Sequence, residues 1–132
     1  MDEEGEFYLC PGGSQEHGET FHETLQRECM EEIGQEVEIG ELLFIREYIG
    51  KNHEHASSDF ALHQVEYYFS CQLKRKQAEI SNGTNPDSDQ IGMEWLPIQQ
   101  LFRYRLYPKD MRTYIIKHVQ GEKTPIYLGD LN

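Results

Sequence analysis

Gly13-Ser-Gln-Glu-His-Gly-Glu19-Thr20-Phe21-His-Glu23-Thr-Leu25-Gln-Arg27-Glu28-Cys29-Met-Glu31-Glu32-Ile33-Gly34 reads as a glycine turn, one short helix and a glycine stop. Thr20 and Glu23 have the spacing of a capping box, in which hydroxyl and carboxylate close the helix N-terminus reciprocally. Gly34 suits the left-handed residue just past a helix C-terminus. Phe21, Leu25, Cys29 and Ile33 recur every four residues and form an apolar stripe. Glu28, Glu31 and Glu32 stand at i, i+3 and i+4, so they share one arc beside that stripe. Three crowded carboxylates repel, and no Lys stands among them to relieve the charge. Taken alone they fit a solvated acidic face. They also fit a bound cation, and oxygen-only ligands select hard divalent ions such as Mg²⁺, above all beside a phosphate.

The full spacing separates these readings. Gly13, five residues, Glu19, seven residues, Arg27-Glu28-Cys29, one residue, Glu31-Glu32, one residue, Gly34 resembles the Nudix box. Seven fixed positions at an ordinary usage of about 6% each match by chance on the order of 10⁻⁹ per start. Leu9-Cys10-Pro11-Gly12 resembles the strand that enters the box in that family, and Gln35 stands where the box usually ends on an aliphatic residue. The resemblance is specific over residues 7 to 37 and general beyond. It implies an α/β/α sandwich with a mixed sheet, and hydrolysis of a pyrophosphate bond in a nucleoside diphosphate linked to another moiety. It implies Mg²⁺ or Mn²⁺ held by Glu28, Glu31, Glu32 and the Gly13 carbonyl. Arg27 is expected to orient a box glutamate through a bidentate pair, and Glu19 to brace the loop and helix. A loop acid, Asp89 with Asp87 second, is expected to complete the metal site or act as base. The alternative is a Nudix-like binding or regulatory module that holds a nucleotide without turning it over.

The chain has 132 residues, suited to a single domain spanning 1–132. Its net charge is −12, from 12 basic and 24 acidic residues. That surface excludes broad nucleic-acid binding and an anionic membrane as partners, and leaves a small-molecule nucleotide as the expected one. Cys10, Cys29 and Cys71 show no CxxC spacing and read as buried apolar fillers in a reducing compartment. With no signal peptide and no apolar run near 18 residues, a cytoplasmic protein is expected.

Glu6 to Cys10 reads as a strand. The resemblance implies two further strands before it, so the domain reads as N-terminally short. The sheet edge this would expose calls for cover, either by a second copy as a two-fold homodimer or by upstream chain. Val37 to Ile49 is strand-like, and Gly50 to Asp59 is a polar loop with His53 and His55, which read as solvent-exposed or substrate-touching. Ala61 to Leu73 alternates, with Val65, Tyr67, Phe69, Cys71 and Leu73 expected in the core and Gln64, Glu66, Tyr68, Ser70 and Gln72 on the other face. Lys74-Arg75-Lys76 is read as the basic cluster, a solvated strand end. Ser81 to Gly92 is a loop, Met93 to Pro97 a strand, and Ile98 to Phe102 a short helix. Pro108 is expected to open a helix whose apolar face is Met111, Tyr114, Ile115, His118 and Val119, and Thr124 to Leu128 to form a last strand.

Overall fold

The computed structural model describes residues 4–75, 90 and 92–132. The elements run β1 (Tyr8–Leu9), α1 (Phe21–Ile33), β2 (Val37–Ile49), α2 (Ala56–Asp59), β3 (His63–Leu73), β4 (Leu106–Tyr107), α3 (Met111–Val119) and β5 (Tyr127–Asp130), with 3₁₀ turns at Gly50–Asn52 and Ile98–Arg103. The class is α/β, as the sequence implies. The three-stranded sheet has the order β3-β2-β5. β2 and β5 are parallel, whereas β2 and β3 form a long hairpin whose ends are marked by Gly50 N to Leu62 O and Lys74 N to Glu36 O, so the sheet is mixed. The residues group into two compact units, Met1–Gly40 with Cys71–Trp95 and Glu41–Ser70 with Leu96–Asn132; β2 and β3 pass through both.

In the first unit α1 is closed at both ends as its sequence requires. Thr20 Oγ1 accepts from the Glu23 N–H at 3.1 Å, and Glu23 Oε1 accepts from the Thr20 N–H at 3.0 Å. Gly34 sits at φ 65° and donates to Met30 O. Of the predicted stripe only Cys29 is fully buried, and Phe21 is exposed. Burial pushes the Cys29 thiol up to about 12, so it is inert at neutral pH. Cys10 and Cys71 are exposed, which corrects their reading as buried fillers. Met93 to Pro97 is irregular rather than a strand, and Trp95 is 67% exposed.

In the second unit α3 packs on β2, with the Tyr114 and His118 rings 6.1 and 6.3 Å from that of Phe44. Phe44 and Met111 are fully buried, and each contributes on the order of 1.5–3 kcal/mol relative to exposure. The helix begins at Met111, and Pro108, joined to Tyr107 by a cis peptide bond, precedes it instead of opening it. β5 lies two to three residues later than expected. Its register with β2 slips between Ile45 and Arg46, where Gly129 adopts φ 75°, a conformation that costs glycine least.

The faces of β3 depart from the alternation. Val65 and Tyr67 are 49% and 41% exposed, while Glu66 and Tyr68 lie half-buried. The cause is Arg46, a charged residue in the middle of an apolar strand. Its buried guanidinium donates to both Glu66 oxygens, at 3.0 and 2.9 Å, and to Leu131 O at 2.6 Å. The Tyr68 hydroxyl adds a 2.6 Å bond to Glu66. Burial raises the Glu66 pKa, but the bonds from Arg46 and Tyr68 outweigh it and hold the carboxyl below the usual range. A buried Arg requires partners, and the Glu66 face of β3 supplies the carboxylate.

A second polar knot ties β5 to the 50–60 turn. Asp130 accepts from Asn52 Nδ2 and the Ile49 N–H, both at 2.9 Å, and pairs with His53 Nε2 at 2.6 Å. His53 in turn stacks on Tyr48, whose hydroxyl donates to Asp59 at 2.7 Å. His53 is therefore a structural residue here. Bonds from Asn52 and then His53 hold the Asp130 carboxyl at about 2, below the ordinary 3.8. A depressed folded pKa stabilises above the unfolded value, and that contribution disappears as pH falls through the folded one. Asp130→Asn should therefore lower the melting temperature at pH 7, and the gap from the parent should close between pH 3.8 and about 2. Melting curves followed by circular dichroism across that window check this; a gap unchanged at pH 2 would contradict it.

Among the described residues no helix is long and apolar enough to cross a membrane.

Candidate functional site

The turn before α1 and the outer arc of α1 bring six predicted residues together in the first unit. Arg27 is the hub. Its Nε donates to Glu19 Oε2 at 2.8 Å and its Nη2 to Glu19 Oε1 at 3.1 Å, a bidentate pair. Its Nη1 donates to Glu28 Oε1 at 3.0 Å and Glu31 Oε2 at 3.1 Å, and its Nη2 also reaches Ser14 O at 3.1 Å. The absence of Lys on this arc therefore does not leave the acids unrelieved. Arg27, one residue before Glu28 and four before Glu31, serves both. The side chains of Arg27, Glu19, Glu28 and Glu31 are 24, 16, 13 and 27% exposed, so water screens these pairs less than on an open surface.

Glu19 closes the turn onto the helix. Besides Arg27 it accepts from the Glu16 N–H at 2.8 Å and the Thr24 hydroxyl at 3.0 Å. The bond from Arg27 above all, then the one from Glu16, lowers its pKa from 4.5 to about 2. The same contacts raise that of Arg27. Glu19 thus stays ionised through the physiological range and holds the guanidinium in place.

Gly13 is required by close approach. A Cβ there would fall onto the Glu28 carboxylate, including Oε2 at 2.8 Å. Because the obstructed group is the end of a flexible side chain, Gly13→Ala should displace Glu28 at modest cost in stability. We expect a fall in activity of about tenfold or more with only a small change in melting temperature. A variant with parental kcat/KM would contradict the packing described.

Glu28 and Glu31 each commit one oxygen to Arg27; among the described residues Glu28 Oε2 and Glu31 Oε1 accept no hydrogen bond. Glu32 lies on the same arc and accepts the Gly12 N–H at 3.4 Å through Oε2. Its backbone carbonyl accepts from Gln90 Nε2 at 2.9 Å. Gly12 and Gln90 were not singled out by sequence; their contacts to Glu32 span 20 and 58 residues, beyond any local spacing rule. Among the described residues no three acid, His or Cys side chains converge on one point as a formed metal cluster. The donor chemistry nonetheless fits a hard divalent ion: every group on the arc is a carboxylate, and two of them keep an oxygen outside the Arg27 network. Asp87 and Asp89 lie outside the described residues.

A search of curated proteins gives no match to the chain. A sequence model of the NUDIX domain matches residues 3–116.

Proposed function

The chain belongs to the Nudix family, and from that premise we propose that it is a metal-dependent pyrophosphohydrolase cleaving a nucleoside diphosphate linked to another moiety. The matched stretch runs through both compact units, and we read them as one domain acting in the cytoplasm on a soluble nucleotide. The observation that carries the reading is the Arg27 hub. It fixes Glu28 and Glu31 by one oxygen each and leaves the other outside its network.

Glu28, Glu31 and Glu32, with the Gly13 carbonyl, would hold Mg²⁺ or Mn²⁺. When bound, the ion supplies charge neutralisation across two phosphoryl groups and lowers the pKa of attacking water. The protein residues do the rest. Glu19 orients Arg27, and Arg27 sets the two carboxylates without touching substrate. Gly13 lets Glu28 lie flat against the turn. A carboxylate takes the proton from the attacking water, either a box glutamate or Asp89. Asp89→Asn should lower kcat more than it raises KM, and Asp87→Asn should do less. Parental turnover in both would assign the base to the box, with Glu28 first.

A binding module without turnover is the second reading, favoured by the lack of a converged metal cluster among the described residues. Product release over a panel of nucleoside triphosphates, dinucleoside polyphosphates, sugar nucleotides and ADP-ribose-like compounds separates the two. Turnover of one class supports the enzyme. A nucleotide that raises the melting temperature yet survives intact supports the module. Sedimentation at micromolar concentration tests the two-fold dimer, to which exposed Leu9 and Trp95 would contribute apolar area.

A further inference from the structure

The carbonyls of the last turn of a helix have no partner inside the helix. In α1 the cap residue Gly34 meets Met30 O at 3.1 Å. The Glu32 carbonyl, two residues further on, accepts from outside the helix: Gln90 Nε2 donates to it at 2.9 Å. The two residues are 58 positions apart, both half-buried and both in the first unit. A last turn whose carbonyls meet only water frays, and a side-chain donor on one of them holds it closed.

The turn so closed carries a box acid. Arg27 sets Glu28 and Glu31 through their side chains, whereas Glu32 lies outside that network and is held through Gly12 and Gln90. The Gly12 N–H reaches Glu32 Oε2 at 3.4 Å, long for a bond from an amide, so it does little to fix the carboxylate. The Gln90 bond is of ordinary length and fixes the backbone from which that carboxylate springs. We propose that Gln90 is the positioning residue of Glu32: its amide clamps the last turn of α1 and so sets the Glu32 carboxylate for a divalent ion. In requiring that ion the inference rests on the proposed function. The residue type suits the task. A cation is the usual complement of a helix C-terminus, but Arg27 already offsets one charge on this arc, and a second cation would compete with the ion for the acids. A carboxamide donates to the carbonyl without bringing a charge.

The test is a double-mutant cycle on Mn²⁺ binding to the intact chain, read by electron paramagnetic resonance of the free ion, with melting curves of the metal-free proteins alongside. Gln90→Met keeps the length of the side chain and removes its N–H donors. It should weaken Mn²⁺ binding about tenfold or more, as loss of a partner that orients a ligand does. The metal-free protein should melt lower by about 5 °C or less, the loss of one hydrogen bond. In a Glu32→Gln background the same change should cost Mn²⁺ binding less than about twofold, because its route to the ion is gone. The melting loss should be the same in both backgrounds, since the clamp acts on the backbone. A merely structural Gln90 would give the melting loss without that coupling. If Gln90→Met melts early, Gln90→Asn, which withdraws the amide by one methylene, serves in its place with the same expectation. Parental Mn²⁺ affinity in the variant, or an equal loss of affinity in both backgrounds, would overturn the inference and leave the proposed function standing. No Mn²⁺ binding by the parent would overturn both.

Discussion

Glu32→Gln should lower kcat/KM by two or more orders of magnitude, about 3 kcal/mol or more of transition-state stabilisation, and leave the fold intact. The substitution keeps the size and shape of the side chain and removes its charge. Glu32 is the informative box acid because it is outside the Arg27 network, and its Oε2 accepts from the Gly12 N–H, a bond that a glutamine oxygen can still accept. Relief of repulsion among three carboxylates should hold or raise the melting temperature of the metal-free variant. Glu31→Gln should cost as much activity but also some stability, since Glu31 accepts from Arg27 at 3.1 Å. That asymmetry comes from the structure, because the arc read from sequence treats the two acids alike. Measured kcat/KM with melting curves on both variants decides it. Near-parental turnover by Glu32→Gln would rule out the site as drawn.

Arg27→Ala should lower activity by about tenfold to a hundredfold although the proposed role of Arg27 is to orient the acids and not to bind substrate, as is usual for residues that orient ligating groups. One guanidinium holds Glu19, Glu28, Glu31 and the Ser14 carbonyl, so its loss frees the turn and two carboxylates together. Arg27→Lys should rescue little, because a single ammonium cannot reproduce a bidentate pair on Glu19 together with a shared bond to two other acids. The pH dependence gives a readout that a purely structural loss would not. Glu19 sits at about 2 chiefly because of Arg27. Its stabilising contribution is complete above about 4.5 and fades as pH falls toward 2. Removing Arg27 should carry that acid transition upward toward the ordinary carboxylate value. Melting temperatures between pH 2 and 7, alongside kcat and KM at neutral pH, check both halves. Parental activity with a shifted acid transition would make Arg27 structural only.

How far the sequence carries the reader differs along the chain, for physical reasons. The box helix was readable because its determinants are local. Caps, apolar stripe and acid arc are all set by spacings of three and four residues, and the cap bonds appear where those spacings put them. The strands β2 and β3 were readable, β3 by its alternation; that they pair as a hairpin was not. The faces of β3 were not, because they are decided by Arg46, twenty residues from its partner Glu66. Period-two patterning treats a charged residue in an apolar strand as outward, whereas here it is buried and draws the polar face of β3 inward with it. The Asp130 knot joins residues 77 to 81 positions apart and leaves no local trace. Within the site, spacing identified the acids but not which of them Arg27 would engage. That depends on the path of the 13–19 turn, fixed by Glu19 and by contact of Gly13 with Glu28.

The central claim is hydrolysis at phosphorus by the box acids. It is tested most directly by turnover of the responsive nucleotide in ¹⁸O-labelled water, with products weighed by mass spectrometry. The account predicts one labelled oxygen per cleavage in a phosphate-bearing product, in Mg²⁺ and not in EDTA, with Glu32→Gln suppressing the label in proportion to its lost activity. Nucleotide that binds and returns unlabelled and uncleaved in Mg²⁺, or label that enters undiminished with Glu32→Gln, would contradict it.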